Sequence, residues 1–267
     1  MKELSFNYRL DIQFSSPVTN HRFTVRCVPQ DSERQKIIER KIEILPDESL
    51  SHSVDSFGND CIYGQCVAAH ELFRVNVCGV VQTGLADSEY AGEAWQMGRY
   101  RYPTPVTRPG QALRQFFSQF SFREDRSNLE KSTLLMQGLA EHFVYRQGVT
   151  NIQTTAEEAF VIGQGVCQDY AHILISLCQM AGIPARYVVG MLIGEGASHA
   201  WVEIFDRKRW YALDPTNMVT VTDGHIKISA GRDYNDCVIN QGVFVGNAKQ
   251  KQEVEVIVEE CGKDSIG

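Results

Sequence analysis

GQGVCQDYAHILISLCQMAGIPARY, Gly163 to Tyr187, sets a dense apolar block between two pairs of helix breakers. Gly163 and Gly165 end whatever helix precedes them and let the backbone turn sharply. From Cys167 onward, Ala171, Leu174, Ile175, Leu177, Cys178 and Ala181 cover much of a helix circumference. The spacing therefore predicts a helix that is buried nearly all round. Gly182 can cap its end, and Pro184 prevents continuation.

The two cysteines of this helix differ chemically. Cys178 lies three turns in, among apolar residues, and reads as an inert core thiol. Cys167 falls in the first turn, where free N–H groups and the helix dipole favour an anion. Its thiol pKa is expected to fall there, and the same N–H groups can stabilise a developing oxyanion. Taken alone, a cysteine at a helix start is more often packing than chemistry, so its partners decide the reading.

The chain around the helix divides in two. Residues 1–83 read as all-β: FNYRLDIQF, HRFTVRCV, RQKIIERKIEIL and ELFRVNVCGVV alternate or carry β-branched residues, with turn signals at SSPVTN, PDES and FGND. Phe73, Val75 and Val77 fall on one face of the last of these, with Arg74 and Asn76 on the other. Such strands point to a sandwich or an open barrel. Residues 84–110, rich in Gly, Pro and aromatics, read as a connector packed on the second half. Residues 111–267 read as α+β. Helices come first, at QALRQFFSQF, NLEKSTLLMQGLAEHFVYRQ and TTAEEAF, capped by Ser127 or Asn128 and by Thr154 or Thr155. Strands follow, at ARYVVGMLIG, HAWVEIF, RWYALD, HIKIS and QEVEVIVEE, and form an antiparallel sheet on which the central helix packs.

Composition excludes several classes. At 267 residues and 43% hydrophobic content the chain can build a core. A net charge of −7 disfavours a nucleic-acid or anionic-membrane binder. No apolar run approaches the roughly 20 residues of a membrane span. The eight scattered cysteines suit reduced thiols and a cytoplasmic location better than a disulfide framework. Cys61, Cys66, His70 and Cys78 are close in sequence, but their spacing matches no common zinc pattern, so no metal is expected. No phosphate-binding loop or other cofactor motif appears.

A thiolate nucleophile needs a base, and the base needs orienting. Five residues along a helix put His172 roughly 140° around from Cys167, so it reads as a core or supporting histidine. His199 starts the strand HAWVEIF, sharing a face with Trp201 and Glu203. Asp214 ends the next strand, before a proline turn. Adjacent strands can set Asp214 beside His199, and both against the start of the Cys167 helix.

These blocks, GVCQDYAHILISLCQMAGIPARYVVG, SHAWVEIF and WYALDPTN, resemble the signature segments of bacterial transglutaminase-like proteins, a branch of the papain-like Cys-His-Asp superfamily. PVTNHRFTVRCVP, DSFGN and HIKISAGRDYNDC extend the resemblance over nearly the whole chain. It implies a transglutaminase-like fold behind a β-sandwich N-terminal domain, with Cys167 as nucleophile, His199 as base and Asp214 as orienting residue. Gln164 and Trp95 are candidates for a second oxyanion donor beside the Cys167 N–H. Arg232–Tyr234 is a candidate cleft segment, with a structural salt bridge and aromatic anchor as the alternative. The triad implies acyl transfer from an amide of a peptide or protein through a thioester. Water as the second nucleophile gives a cysteine peptidase or amidase, the reading favoured here. An amine gives a transglutaminase. A non-catalytic binding module on the same fold is the alternative of a different class.

Overall fold

The computed structural model describes residues 1–46 and 49–262. The first half comprises β1 (Lys2–Val25), β2 (Gln35–Leu45), β3 (Ser49–Val54), β4 (Asp60–Cys66), β5 (His70–Thr83) and β6 (Ser88–Tyr90). Four helices follow: α1 (Gly98–Arg101), α2 (Gln111–Phe117), α3 (Asn128–Ala140) and α4 (Ala156–Ile162), with the short strands β7 (Val144–Tyr145) and β8 (Gln164–Gly165) on either side of α4. Then come α5 (Cys167–Met180), β9 (Ala185–Leu192), β10 (Gly194–Gly196), β11 (His199–Asp206), β12 (Arg209–Asp214), β13 (Val219–Thr220), β14 (His225–Gly231), β15 (Asn240–Val245) and β16 (Gln250–Glu260). No helix among the described residues is long and apolar enough to cross a membrane.

The N-terminal domain is a β-sandwich-like arrangement organised on β1. Residues 2–13 of this strand pair with β5, and residues 4–14 with β16 on the other side. Residues 21–25 pair with β4, and residues 19–25 with β15. SSPVTN was expected to be a turn between two strands. It is instead a bend inside one strand, with irregular register between Gln13 and Val18 and again between Thr19 and Arg22. The ladders on both sides keep its backbone paired, so a bulge re-aims the chain without reversing it. The PDES turn lies partly outside the described residues. Phe73, Val75 and Val77 are fully buried, as the alternation predicts.

The expectation that residues 111–267 form one catalytic unit is corrected at its end. β15 and β16 leave the sheet of the second half and complete the N-terminal domain, with β16 antiparallel to β1 from Leu4↔Glu260 to Phe14↔Gln250. The alternation of QEVEVIVEE predicted a strand, but a period of two does not say which sheet receives it. β10 pairs with β16 in turn. Met191, Ile226 and Ile228 of β9 and β14 are buried in the same core as Leu4, Phe6 and Val75. The two domains thus share apolar interior as well as hydrogen bonds: Asn59 Nδ2 donates to the Ala230 carbonyl at 2.9 Å, and Gln35 Nε2 to the Lys227 carbonyl at 2.8 Å.

The catalytic-half sheet runs β13-β12-β11-β9-β14, with β6 of the connector added on β12. One of its faces carries Ala200, Val202 and Ile204, which bury against α5. The other carries Glu203 in a network with Arg186, Lys227 and Glu89. Burial opposes the Glu203 charge, but Arg186 and Lys227 outweigh it and hold its pKa down to about 2. Ser127 caps α3 in a box with Glu130, and Thr155 caps α4 in a box with Glu158. α3 ends at Ala140, short of the periodic run that suggested a helix to residue 147. The chain turns Phe143 into the core, and the Val144 N–H bonds the Gly163 carbonyl.

Val256 of β16 is 1% exposed beside β1. Val256→Asp is expected to cost about 3 kcal/mol or more by burying a carboxylate without a partner. The urea midpoint of the N-terminal domain should drop with it. An unchanged midpoint would show that β16 is not part of that domain's core.

Candidate active site

Cys167 stands where the backbone passes from β8 into α5. Gly163 closes α4 in the left-handed region, at φ +72°. Gly165 has no room for a side chain, because a Cβ there would come within 2.4 Å of the Asp169 carboxylate. That carboxylate folds back on the helix start, accepting from the Val166 N–H at 2.7 Å and the Thr150 hydroxyl at 2.7 Å. Burial raises the Asp169 pKa, while these two donors oppose the rise. The helix entry is therefore fixed by a buried side chain that the sequence reading left unassigned. The pattern Gly165-Val166-Cys167-x-Asp169 carried the signal, as a capping residue at the third helical position. Every residue from Asp169 to Gln179 is buried.

His199 opens β11 and Asp214 ends β12. His199 Nε2 lies 2.8 Å from Asp214 Oδ2, and the carboxylate is fully buried. Nδ1 is left as the ring nitrogen available to the thiol, and the Cys167 side chain acts on the same ring. Burial pulls the His199 pKa down, but hydrogen bonds and charge from Asp214 and Cys167 more than reverse this and lift it to about 9. Burial likewise opposes the Asp214 charge. The hydrogen bonds from His199 and His225 prevail and hold that carboxyl well below the usual range. Asp214 also accepts from Asn217 Nδ2 at 2.7 Å and from the backbone N–H groups of Thr216 and Asn217 at 3.0 and 3.2 Å.

His225 was not foreseen. Its Nε2 lies 3.1 Å from Asp214 Oδ2, so two imidazoles converge on one oxygen. HIKIS was read as a strand. Only its register on β9, with His225 opposite Leu192, brings that ring to Asp214. His199, Asp214 and His225 are also the group of described residues whose donor atoms could surround a metal ion. An ion there would take the ring nitrogen and carboxylate that make the His199–Asp214 hydrogen bond, so metal binding and that hydrogen bond compete. The residues Cys61, Cys66, His70 and Cys78 do not converge. Cys66 Sγ lies 3.4 Å from His70 Nδ1, whose other nitrogen faces His21 at 3.2 Å, while Cys61 lies against the Asn59 carbonyl at 3.5 Å.

His172 is fully buried, and its Nε2 accepts the Tyr234 N–H at 3.1 Å. Burial lowers its pKa to about 4, against the nearby Asp233 charge, so it supports the fold as a neutral ring. Cys178 is buried beside the Ser132 hydroxyl, and burial pushes its thiol up to about 12.

Cys167 and His199 open into a cleft of about 870 Å³ between the two domains. Tyr234 lines it, whereas Arg232 turns away to pair with Asp236 at 2.8 Å. Neither oxyanion candidate reaches it. Gln164 does not line the cleft and accepts from Arg146 at 3.1 Å, and Trp95 is 79% exposed outside it. The N-terminal domain supplies much of the opposite wall through Tyr8, Ile12, Phe14 and His21.

Sequence comparisons give the class of protein to which this fold belongs. Residues 116–215 match the transglutaminase-like superfamily core, and residues 4–82 match the bacterial transglutaminase-like N-terminal region. The chain belongs to the transglutaminase-like superfamily and carries the bacterial family's N-terminal region. An uncharacterised protein of Mycobacterium tuberculosis is 27% identical over 91% of this chain and 87% of its own length. One from Mycobacterium leprae is 25% identical over 92% and 94%. The crystal structure of a candidate cysteine protease from Cytophaga hutchinsonii shares the fold at TM-score 0.80. It is 21% identical and covers 98% of this chain and 92% of its own.

The His199 pKa has a defined consequence. The unfolded ring titrates near about 6.5, so the folded protein holds a proton that the unfolded chain has released between there and about 9. The stabilisation is complete below the lower value and is lost as pH rises through the upper one. Histidine NMR should show the His199 ring titrating near 9 and reverting toward an ordinary value in Asp214→Asn. A ring titrating near 6.5 in the unmodified protein would contradict this electrostatic arrangement.

Proposed function

We propose that this protein is a cysteine amidase or peptidase that transfers the acyl group of an amide to water through a thioester on Cys167. The supporting observation is the 2.8 Å hydrogen bond from His199 to the buried Asp214, with Cys167 acting on the same imidazole from the start of α5. In this reading the Cys167 thiolate attacks the amide carbonyl and imidazolium His199 gives its proton to the leaving amine. The ring then takes a proton from the water that hydrolyses the thioester. Asp214 holds the ring's orientation and stabilises its charged form. The Cys167 and Gln168 N–H groups, in the first two helical positions, have no acceptor within the helix and are the donors this reading assigns to the oxyanion. Water is the favoured acceptor because exposed residues such as Gln241 and Gln250 border the cleft and leave it open to solvent. The eight cysteines, none in a disulfide, fit a reducing compartment such as the cytoplasm.

Cys167→Ala should abolish amide cleavage while leaving the unfolding transition nearly unchanged, and retained cleavage would refute the assignment. Asp214→Asn should lower kcat by roughly 10²–10⁴-fold. In the active enzyme the rate should fall above about pH 9, where His199 loses the proton it gives to the leaving group. Iodoacetamide at pH 6 should label Cys167 ahead of Cys27, Cys61 and Cys178, whose thiols burial raises. Earlier labelling of any of those three would identify a different reactive thiol.

A further inference from the structure

The cleft is uncharged apart from its catalytic ring. Charged residues make up 22% of the chain, so a lining of this size would carry about six on average. Among the described residues lining it there is no Asp, Glu, Lys or Arg. Burial explains the floor, where Tyr8, Ile12 and Phe14 are nearly inaccessible. It does not explain the rim, because Gln241, Gln250 and Gln252 are exposed and a charge there would cost little. On β16 the alternation is explicit: Gln250 and Gln252 line the cleft, whereas Lys251 and Glu253 do not and pair with each other at 2.6 Å. On β1, Arg9 and Asp11 likewise stay off the cleft and bond each other at 2.8 Å, between cleft positions 8 and 12.

From this lining we infer that the cleft takes an internal, uncharged stretch of polypeptide, with glutamine and asparagine side chains on the rim bonding its backbone and the partly exposed rings of Tyr234 and Phe244 taking an apolar side chain. The inference rests on the hydrolytic reading above and adds a substrate class to it. A carboxypeptidase needs a cation for the terminal carboxylate, and an aminopeptidase needs an acid for the terminal amine. Outside the catalytic ring, which acts at the scissile amide itself, the lining offers neither, so the scissile amide lies away from both ends of its chain. A charged side chain held against this rim meets no counter-ion there. Acidic segments fare worst, since the protein's net charge of −7 also repels them. Primary amides suit a peptide backbone because each supplies both donor and acceptor. The N-terminal domain, through β1 and the returning β16, is then the specificity wall of the enzyme.

Binding and cleavage separate the two claims. Fluorescence anisotropy with Cys167→Ala protein would compare three labelled hexapeptides: a terminally blocked neutral peptide with one central Phe, the same peptide with Glu on both sides of the Phe, and one truncated so that its free carboxylate follows the Phe. The neutral peptide should bind at least tenfold more tightly than either other. Gln252→Lys should narrow the gap to the Glu peptide at least threefold, and Gln252→Glu should widen it. Equal or tighter binding of the Glu or free-carboxylate peptide overturns the inference, as does failure of all three to bind. Cleavage of the neutral peptide by unmodified protein tests the hydrolytic reading on its own. If the neutral peptide binds selectively but is not cut, the reaction assignment fails while the substrate class stands.

Discussion

The start of α5 must satisfy two opposed demands. The body of the helix is buried from Asp169 to Gln179, yet its first residue, Cys167, lines the cleft. The Asp169 carboxylate reconciles them. It satisfies the Val166 N–H, takes the Thr150 hydroxyl, and fills the space that a side chain on Gly165 would need. With the entry fixed, the hydrophobic effect holds the helix between α3, α4 and the sheet, and the position of Cys167 follows from packing. A thiol on a flexible loop would have no fixed position, whereas this one is held in place by the core.

The partner side of the site is built by sheet register. His199 and Asp214 come from neighbouring antiparallel strands, and the carboxylate is surrounded by donors besides His199: Asn217, two backbone N–H groups and His225. This environment keeps Asp214 charged despite full burial, and its charge raises the His199 pKa against the opposing pull of desolvation. The network over-determines the carboxylate, so its orientation does not depend on any one donor.

The N-terminal domain is more than an appendage. β1 carries paired strands on both edges, and one of these, β16, arrives from the far end of the chain. The return of β15 and β16 ties the two domains through shared core and adds residues of both strands to the cleft lining.

What the sequence determined by itself was local and periodic. The apolar spacing after Gly165 fixed the helix and put Cys167 at its start, the alternation in HAWVEIF and RWYALD fixed the strands, and five residues of helical rotation set His172 apart from Cys167. Those readings needed only the periods 3.6 and 2. Tertiary structure decided what periodicity does not encode: which sheet receives QEVEVIVEE, that SSPVTN bends a strand rather than ending it, that His225 joins Asp214, and that Gln164 and Trp95 miss the cleft. Each of these depends on strand register or on contacts between residues far apart in the chain, and alternation is identical in every sheet a strand could join.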